Sequence, residues 1–155
     1  MEHSAAMLFT RSTTIHAPAD VVFAFHERPD ALRMLLPPWQ NAEVLKPPKS
    51  LAVGTEVILR VRIGPFWKTI VAEHVAYEKG RMFADRMLKG PFKSWLHRHL
   101  IVPTSASECT LTDDIDYELP LGALGRLFGT TIARNELDRL FDFRHTVTRR
   151  ACEQA

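Results

Sequence analysis

The sequence predicts an α+β domain of helix-grip type: a curved antiparallel sheet of about six to seven strands wrapped around one long C-terminal helix, with two short helices after the first strand. Three observations carry this. A Thr-rich, β-favouring run opens the chain at residues 7–15. From Asn41 to Pro120, short alternating runs are separated by Gly, Pro and Ser turns, the pattern of an antiparallel meander. After Pro120 the apolar period changes from that of a strand to that of a helix, and a long amphipathic segment follows. Its apolar face must lie on the sheet, because neither layer can bury itself alone.

Taken in order, "MLFTRSTTI" ends at "HAPAD" and reads as the first strand. "APADVVFAFH" and "RPDALRMLL" place apolar residues at helical spacing behind Pro18 and Pro29, and "LPPW" stops the second helix. "NAEVLK" is a short strand; "GTEVILRVRI" alternates Val57, Leu59, Val61 and Ile63 against Ile58, Arg60 and Arg62. Gly64 and Pro65 turn the chain into "FWKTIVAEHVAYE", and Gly80 marks the next reversal. "RMFADRML", "SWLHRHL" and "CTLTDDIDYELP" complete the meander. "LGALGRLFGTT" is apolar but broken by Gly122, Gly125 and Gly129, and is expected to form a flexible rim. The helix is placed over "IARNELDRLFDFRHTVTRRACEQ", with Ala133, Leu137, Leu140, Phe141, Val147, Thr148 and Ala151 on one stripe and Arg144 at its centre.

At 155 residues with 46% hydrophobic and 25% charged content, residues 1–155 are expected to form one domain with a true core. "MEHSAAMLFTRS" lacks a secretory pattern, and no apolar run is long enough to span a bilayer. Cys109 and Cys152 have neither metal nor redox spacing; together these predict a cytoplasmic protein without stable membrane insertion. The 20 basic and 18 acidic residues are intermixed, net +2, which argues against a nucleic-acid partner, since phosphate binding needs a concentrated basic stripe. Nothing in the sequence sets the oligomeric state.

The stretch "GPFKSWLHRHL" puts Lys93, Trp95, His97 and His99 at every second position, hence on one face of a strand. Counting back from Gly90 pairs Asp85 with Trp95 and Phe83 with His97; counting around "PTSASE" pairs His97 with Asp113, His99 with Leu111 and Trp95 with Ile115. Phe83, Asp85, Trp95, His97, His99, Asp113, Ile115 and Tyr117 then share the face that meets the helix. Arg86, Ser94, Arg98, Thr110, Thr112, Asp114, Asp116 and Glu118 share the solvated one. Arg144 also points inward, and a buried charge is costly unless paired, so it predicts an acidic partner, Asp85 or Asp113.

These residues carry a family resemblance. "GPFKSWLHRHL", "TLTDDIDYELPLG" and "LDRLFDFRHTVT", with "HAPADVVFAFHERPDALRMLLPPW" ahead of them, resemble the polyketide cyclase/dehydrase members of the START-like (SRPBCC) superfamily, in the subgroup with W-x-H-x-H and D-x-x-Y-x-L-P strings. Similar segments also occur fused to a nucleotide-sugar-epimerase-like domain. The resemblance implies a helix-grip fold around a cavity for an apolar or amphipathic molecule, and its matching polar positions are His26, Trp39, Asp85, Trp95, His97, His99, Asp113, Tyr117, Arg144 and His145. It does not choose among carriers, receptors and cyclases.

Four readings of the polar interior follow. A structural one has the arginine, carboxylates and imidazoles forming a network that fixes the helix on the sheet. A binding one has Arg144 or His97 meeting a carboxylate or phosphate head group, with Phe83, Asp85, Trp95, His99, Asp113, Tyr117, Leu140 and Phe141 completing the pocket. In it, His26, Trp39, Leu124 and Phe128 line the entrance, and Leu121, Leu124, Leu127 and Phe128 form a mobile rim able to touch a membrane transiently. A catalytic one has Asp113 orienting His97 and raising its basicity for cyclase/dehydratase acid/base chemistry without an organic cofactor. A metal at His97 and His99 is not expected, because Trp95 and Phe83 crowd the face and Arg144 would set a cation beside it. The expectation is therefore a binder of a small amphipathic molecule, with the cyclase/dehydratase as alternative and neither metal nor cofactor.

Overall fold

The computed structural model describes residues 6–154; the first five residues of "MEHSAAMLFTRS" and Ala155 lie outside the described residues. The chain runs β1 (Met7–Ile15), α1 (Ala19–Glu27), α2 (Ala31–Met34), β2 (Ala42–Lys46), β3 (Glu56–Ile63), β4 (Phe66–Glu78), β5 (Met82–Lys89), β6 (Ser94–Ser105), β7 (Glu108–Glu118) and α3 (Gly122–Glu153). Every neighbouring pair in the sheet is antiparallel, in the order β1-β7-β6-β5-β4-β3-β2. The excursion through α1 and α2 lets the first strand close against the last while the second begins the far edge. With α3 on its concave side, this is the helix-grip fold.

β7 shows how the sequence sets the faces. Its residues alternate strictly, with Cys109, Leu111, Asp113, Ile115 and Tyr117 buried and the residues between them partly exposed. The outward residues pair as the solvated-face reading requires: Arg98 bonds Asp116 at 2.7 Å, Thr10 bonds Asp114 and Ser12 bonds Thr112, each at 2.8 Å.

Inside, two apolar clusters flank α3. One joins Phe23, Phe25, Leu35, Ile101 and Leu111 to Cys152 at the helix's C-terminal end; the other joins Phe9, Ile115 and Tyr117 to Leu137 and Phe141 in its middle. Each buried aromatic or aliphatic side chain here contributes about 1.5–3 kcal/mol. Asp113 falls between Leu111 and Ile115, hence between the clusters.

Two expectations are corrected. Both hairpin registers shift by two residues. Phe83 pairs with His99 and Asp85 with His97, while His99 pairs with Asp113, His97 with Ile115 and Trp95 with Tyr117. The β5–β6 connection is longer than a tight turn, and an irregularity at Pro103/Ser105 offsets the other hairpin. An even shift leaves every side chain on its face, so the inward set survives.

The second correction is α3. It begins at Gly122 and runs for 32 residues, so "LGALGRLFGTT" is helix rather than a flexible rim. The glycines serve its start. Gly122 follows Leu121 with both at positive φ, and a Cβ on Gly125 would lie 1.9 Å from the Pro120 carbonyl oxygen.

Candidate functional site

The centre of the interior is Asp113, only 4% exposed. Three imidazoles from two elements converge on its carboxylate. His97 of β6 donates from Nε2 to Oδ1 at 2.7 Å, His99 of β6 approaches Oδ1 through Nδ1 at 2.8 Å, and His145 of α3 donates from Nε2 to Oδ2 at 2.6 Å. The other nitrogen of His145 bonds the Thr13 hydroxyl of β1 at 2.7 Å. Asp85 of β5 adds a second carboxylate: its Oδ2 accepts from His99 Nε2 at 3.2 Å and lies 3.8 Å from His97 Nδ1.

The electrostatics follow from this geometry. Burial opposes ionising Asp113, but the His99 charge and the imidazole bonds overcome it and hold the group well below the usual carboxylate range. Asp85 is likewise held down, burial being outweighed by the bond from His99 and the nearby imidazoles. Burial alone would lower His99, yet the two carboxylates outweigh it and push its pKa up to about 9. His97 goes the other way: burial and the His99 charge hold it below the ordinary imidazole value despite its bond to Asp113. The expected rise in His97 basicity is thus corrected, because the carboxylate is shared and the neighbouring ring carries the proton.

Arg144 is corrected as well. No carboxylate among the described residues lies within ion-pairing distance of it. Its Nε donates to the Leu35 carbonyl at 3.2 Å, and its guanidinium lies 5.3 Å from the Phe141 ring centroid. Burial lowers its pKa, with Asp113 and Asp85 acting at longer range in the opposite sense. The buried hydrogen-bonded tie between helix and Asp113 therefore runs through His145, the next residue, which sequence projection did not single out for this role.

A cavity of about 730 Å³ opens between α3 and the sheet. Of the residues expected in the pocket, Phe83, Asp85, Trp95, His97, His99, Leu140 and Arg144 line it. Asp113, Tyr117 and Phe141 do not; they are buried behind the wall, Asp113 under its imidazoles and the two aromatics in the second cluster. His26 and Trp39, expected at the entrance, line the cavity, His26 with Nδ1 donating to the Val22 carbonyl at 2.8 Å and Trp39 packed by Arg139 and Phe143. Leu124 and Phe128 line a separate shallow depression with Leu119 and Pro120, which corrects their place at the entrance.

The larger part of the apolar wall, including Leu35, Val57, Leu59, Val61, Ile70 and Met87, was not singled out from the sequence. Strand alternation carried that signal for β3 and β4, because Ile70, Ala72 and His74 are spaced by two. His74 is 5% exposed, faces the cavity, and its Nδ1 has no hydrogen-bond partner. Burial lowers its pKa.

The family profile described as "Polyketide cyclase / dehydrase and lipid transport" matches residues 15–141. The chain belongs to this family. Among curated protein sequences none matches it. Solved structures share the START-like fold of the family at low identity. Norcoclaurine synthase from Thalictrum flavum, in complex with dopamine and hydroxybenzaldehyde, superposes with TM-score 0.67 at 16% identity, covering 92% of this chain and 86% of that one. An aromatase/cyclase from Streptomyces sp. R1128 gives 0.64 at 17%, covering 96% and 92%. A nucleoside-diphosphate sugar epimerase from Corynebacterium glutamicum gives 0.69 at 25%, covering 92% of this chain but 28% of that protein. No helix among the described residues is long and apolar enough to cross a membrane.

Proposed function

We propose that residues 1–155 act as one ligand-binding domain, holding a small amphipathic anion with its tail between α3 and the sheet and its carboxylate or phosphate head at Arg144. The observation that carries this is the state of that arginine. It is half-buried on the wall of a mostly apolar cavity, and its terminal nitrogens have no partner among the described residues. A guanidinium fork in such surroundings favours a bidentate anion. The volume suits the reading, since small-molecule pockets span about 300–1,000 Å³. The orphan Nδ1 of His74 offers a second polar contact. The two cysteines are buried and unpaired, which suits the cytoplasm.

The test compares a fluorescent long-chain carboxylate with the matching alcohol. Wild-type protein should prefer the acid by about tenfold or more, the scale of one charge-assisted hydrogen bond, and Arg144→Leu should abolish the preference while still binding both. Equal affinities in the folded wild type would sink the head-group role.

Cyclase/dehydratase chemistry is the second reading, supported by one observation: His97 is tethered through Nε2 and faces the cavity as a depressed-pKa imidazole, leaving Nδ1 to accept a proton. In this reading Asp113 fixes the tautomer and remains ionised. His97→Ala should remove turnover of a cyclisable polyketone while tail binding persists; parallel loss of both would leave binding alone.

A further inference from the structure

We propose that Asp85, His97 and His99 form a binding site for one divalent first-row metal ion of the zinc, cobalt or ferrous type. This goes beyond amphiphile binding and stands independently of it. One ligand atom from each of the three residues lies within 4.8 Å of the other two. Ligands about 2.0–2.2 Å from a tetrahedral metal are separated by about 3.3–3.6 Å. The two separations centred on Asp85, to His99 Nε2 and His97 Nδ1, are 3.2 and 3.8 Å, each within a few tenths of an ångström of that span.

The second line of support is behind the ligands. His97 and His99 each turn their other ring nitrogen to one oxygen of Asp113, at 2.7 and 2.8 Å. Metal-bound histidines are held in this way, by a carboxylate that fixes the ring and its tautomer. One buried carboxylate thus engages one nitrogen of each ring, and the other two, His97 Nδ1 and His99 Nε2, lie 3.8 and 3.2 Å from Asp85 Oδ2. The rings are also packed in place: Phe83 stacks on His99 at 4.0 Å and Trp95 meets His97 edge-on at 6.1 Å. These aromatics, which seemed to crowd a metal from the sequence, brace its ligands instead. Arg144 keeps its charge near the site but makes no ion pair with Asp85 or Asp113, its Nε donating to the Leu35 carbonyl instead, so both carboxylates remain for the ion.

Two carboxylates supply the charge to balance a divalent cation, and a donor set of two nitrogens and one oxygen matches the borderline metals rather than calcium or magnesium. All three ligands line the cavity, so the remaining coordination positions face it. His74 stands directly across from Asp85 on β4 and adds its unpartnered Nδ1 to the same wall.

The experiment titrates untagged, metal-stripped protein with Co²⁺, reading visible absorption and calorimetric stoichiometry. One ion per chain is expected, with the absorption of a low-coordinate nitrogen/oxygen site. Asp85→Asn and His97→Gln should each weaken binding by about 100-fold, whereas His16→Ala, an exposed histidine paired with Glu108, should leave it unchanged. Because the first two variants alter a buried network, imidazole ¹⁵N spectra of wild-type protein with Zn²⁺ give a second readout. The largest shifts should fall on His97 Nδ1 and His99 Nε2. Failure of the wild type to take up one equivalent, uptake surviving both variants, or shifts centred on other histidines would each overturn the site. None of these outcomes bears on the carboxylate preference assigned to Arg144.

Discussion

Asp113 shows what a single buried residue can organise. Its carboxylate joins β7, β6 and α3 through three imidazoles, and removing its charge would leave donors stranded in a low-dielectric interior. Asp113→Asn should therefore lower stability by about 3–5 kcal/mol, the usual loss when one member of a buried charged network is removed. Urea denaturation checks this, and a loss below about 1 kcal/mol, the scale of an ordinary hydrogen bond, would show that the network does not hold the helix. His26 predicts a pH effect. Burial and the His99 charge lower its pKa from 6.5 to about 4, with the Val22 carbonyl and Asp113 opposing and His145 reinforcing. Between these values the unfolded chain binds a proton that the folded chain refuses, so stability is full above pH 6.5 and falls as pH drops toward 4. His26→Phe should make that acid limb shallower in denaturation series run from pH 7 downward. Residue choice was only partly legible in the sequence. Alternation placed Asp85, His97, His99 and Asp113 inside, but helical projection alone could not tell Arg144 from His145 as the partner of a carboxylate.

At the scale of elements, alternation and register carried different amounts of information. A period of two states which residues face inward, and an offset of two residues leaves that statement unchanged. The sequence therefore determined the faces of β5, β6 and β7, while the lengths of their connections, which set the register, followed no turn signature strong enough to count from. The start of α3 was hidden for another reason. Glycines at 122, 125 and 129 read as breaks, whereas Gly125 is required by the approach of the Pro120 carbonyl. This separates two substitutions of one kind. Gly125→Ala would push a methyl into backbone at 1.9 Å and should destabilise the first turns of α3. Gly129→Ala meets only the movable Leu119 side chain at 3.3 Å and should gain up to about 1 kcal/mol of helix propensity. Thermal melts of the pair should move in opposite directions; a common direction would refute the packing role of Gly125.

For the whole molecule, what matters is that the sheet and α3 meet fully at two clusters and fail to meet between β3, β4 and the middle of the helix. The apolar side chains there are not filling a core. Native interiors leave few voids larger than a water molecule, and a space of about 730 Å³ leaves Leu59, Val61 and Ile70 without the contacts that their burial would otherwise gain. Sequence patterning cannot reveal such a space, because a residue facing a cavity and one facing a partner obey the same alternation. The consequence is testable by filling it. Ala72 sits on the cavity wall in the centre of β4, whereas Ala17, between β1 and α1, is 3% exposed within the first apolar cluster and does not line this cavity. A phenyl ring at position 72 has open space to enter, so Ala72→Phe should preserve the melting temperature while lowering the affinity for a long-chain amphiphile by about tenfold or more, the equivalent of about 1.4 kcal/mol. The same ring at position 17 enters packed side chains and should cost about 1–3 kcal/mol of stability. If Ala72→Phe instead destabilised as strongly as Ala17→Phe and left amphiphile affinity unchanged, the gap between helix and sheet would be a packed interior and not a binding chamber.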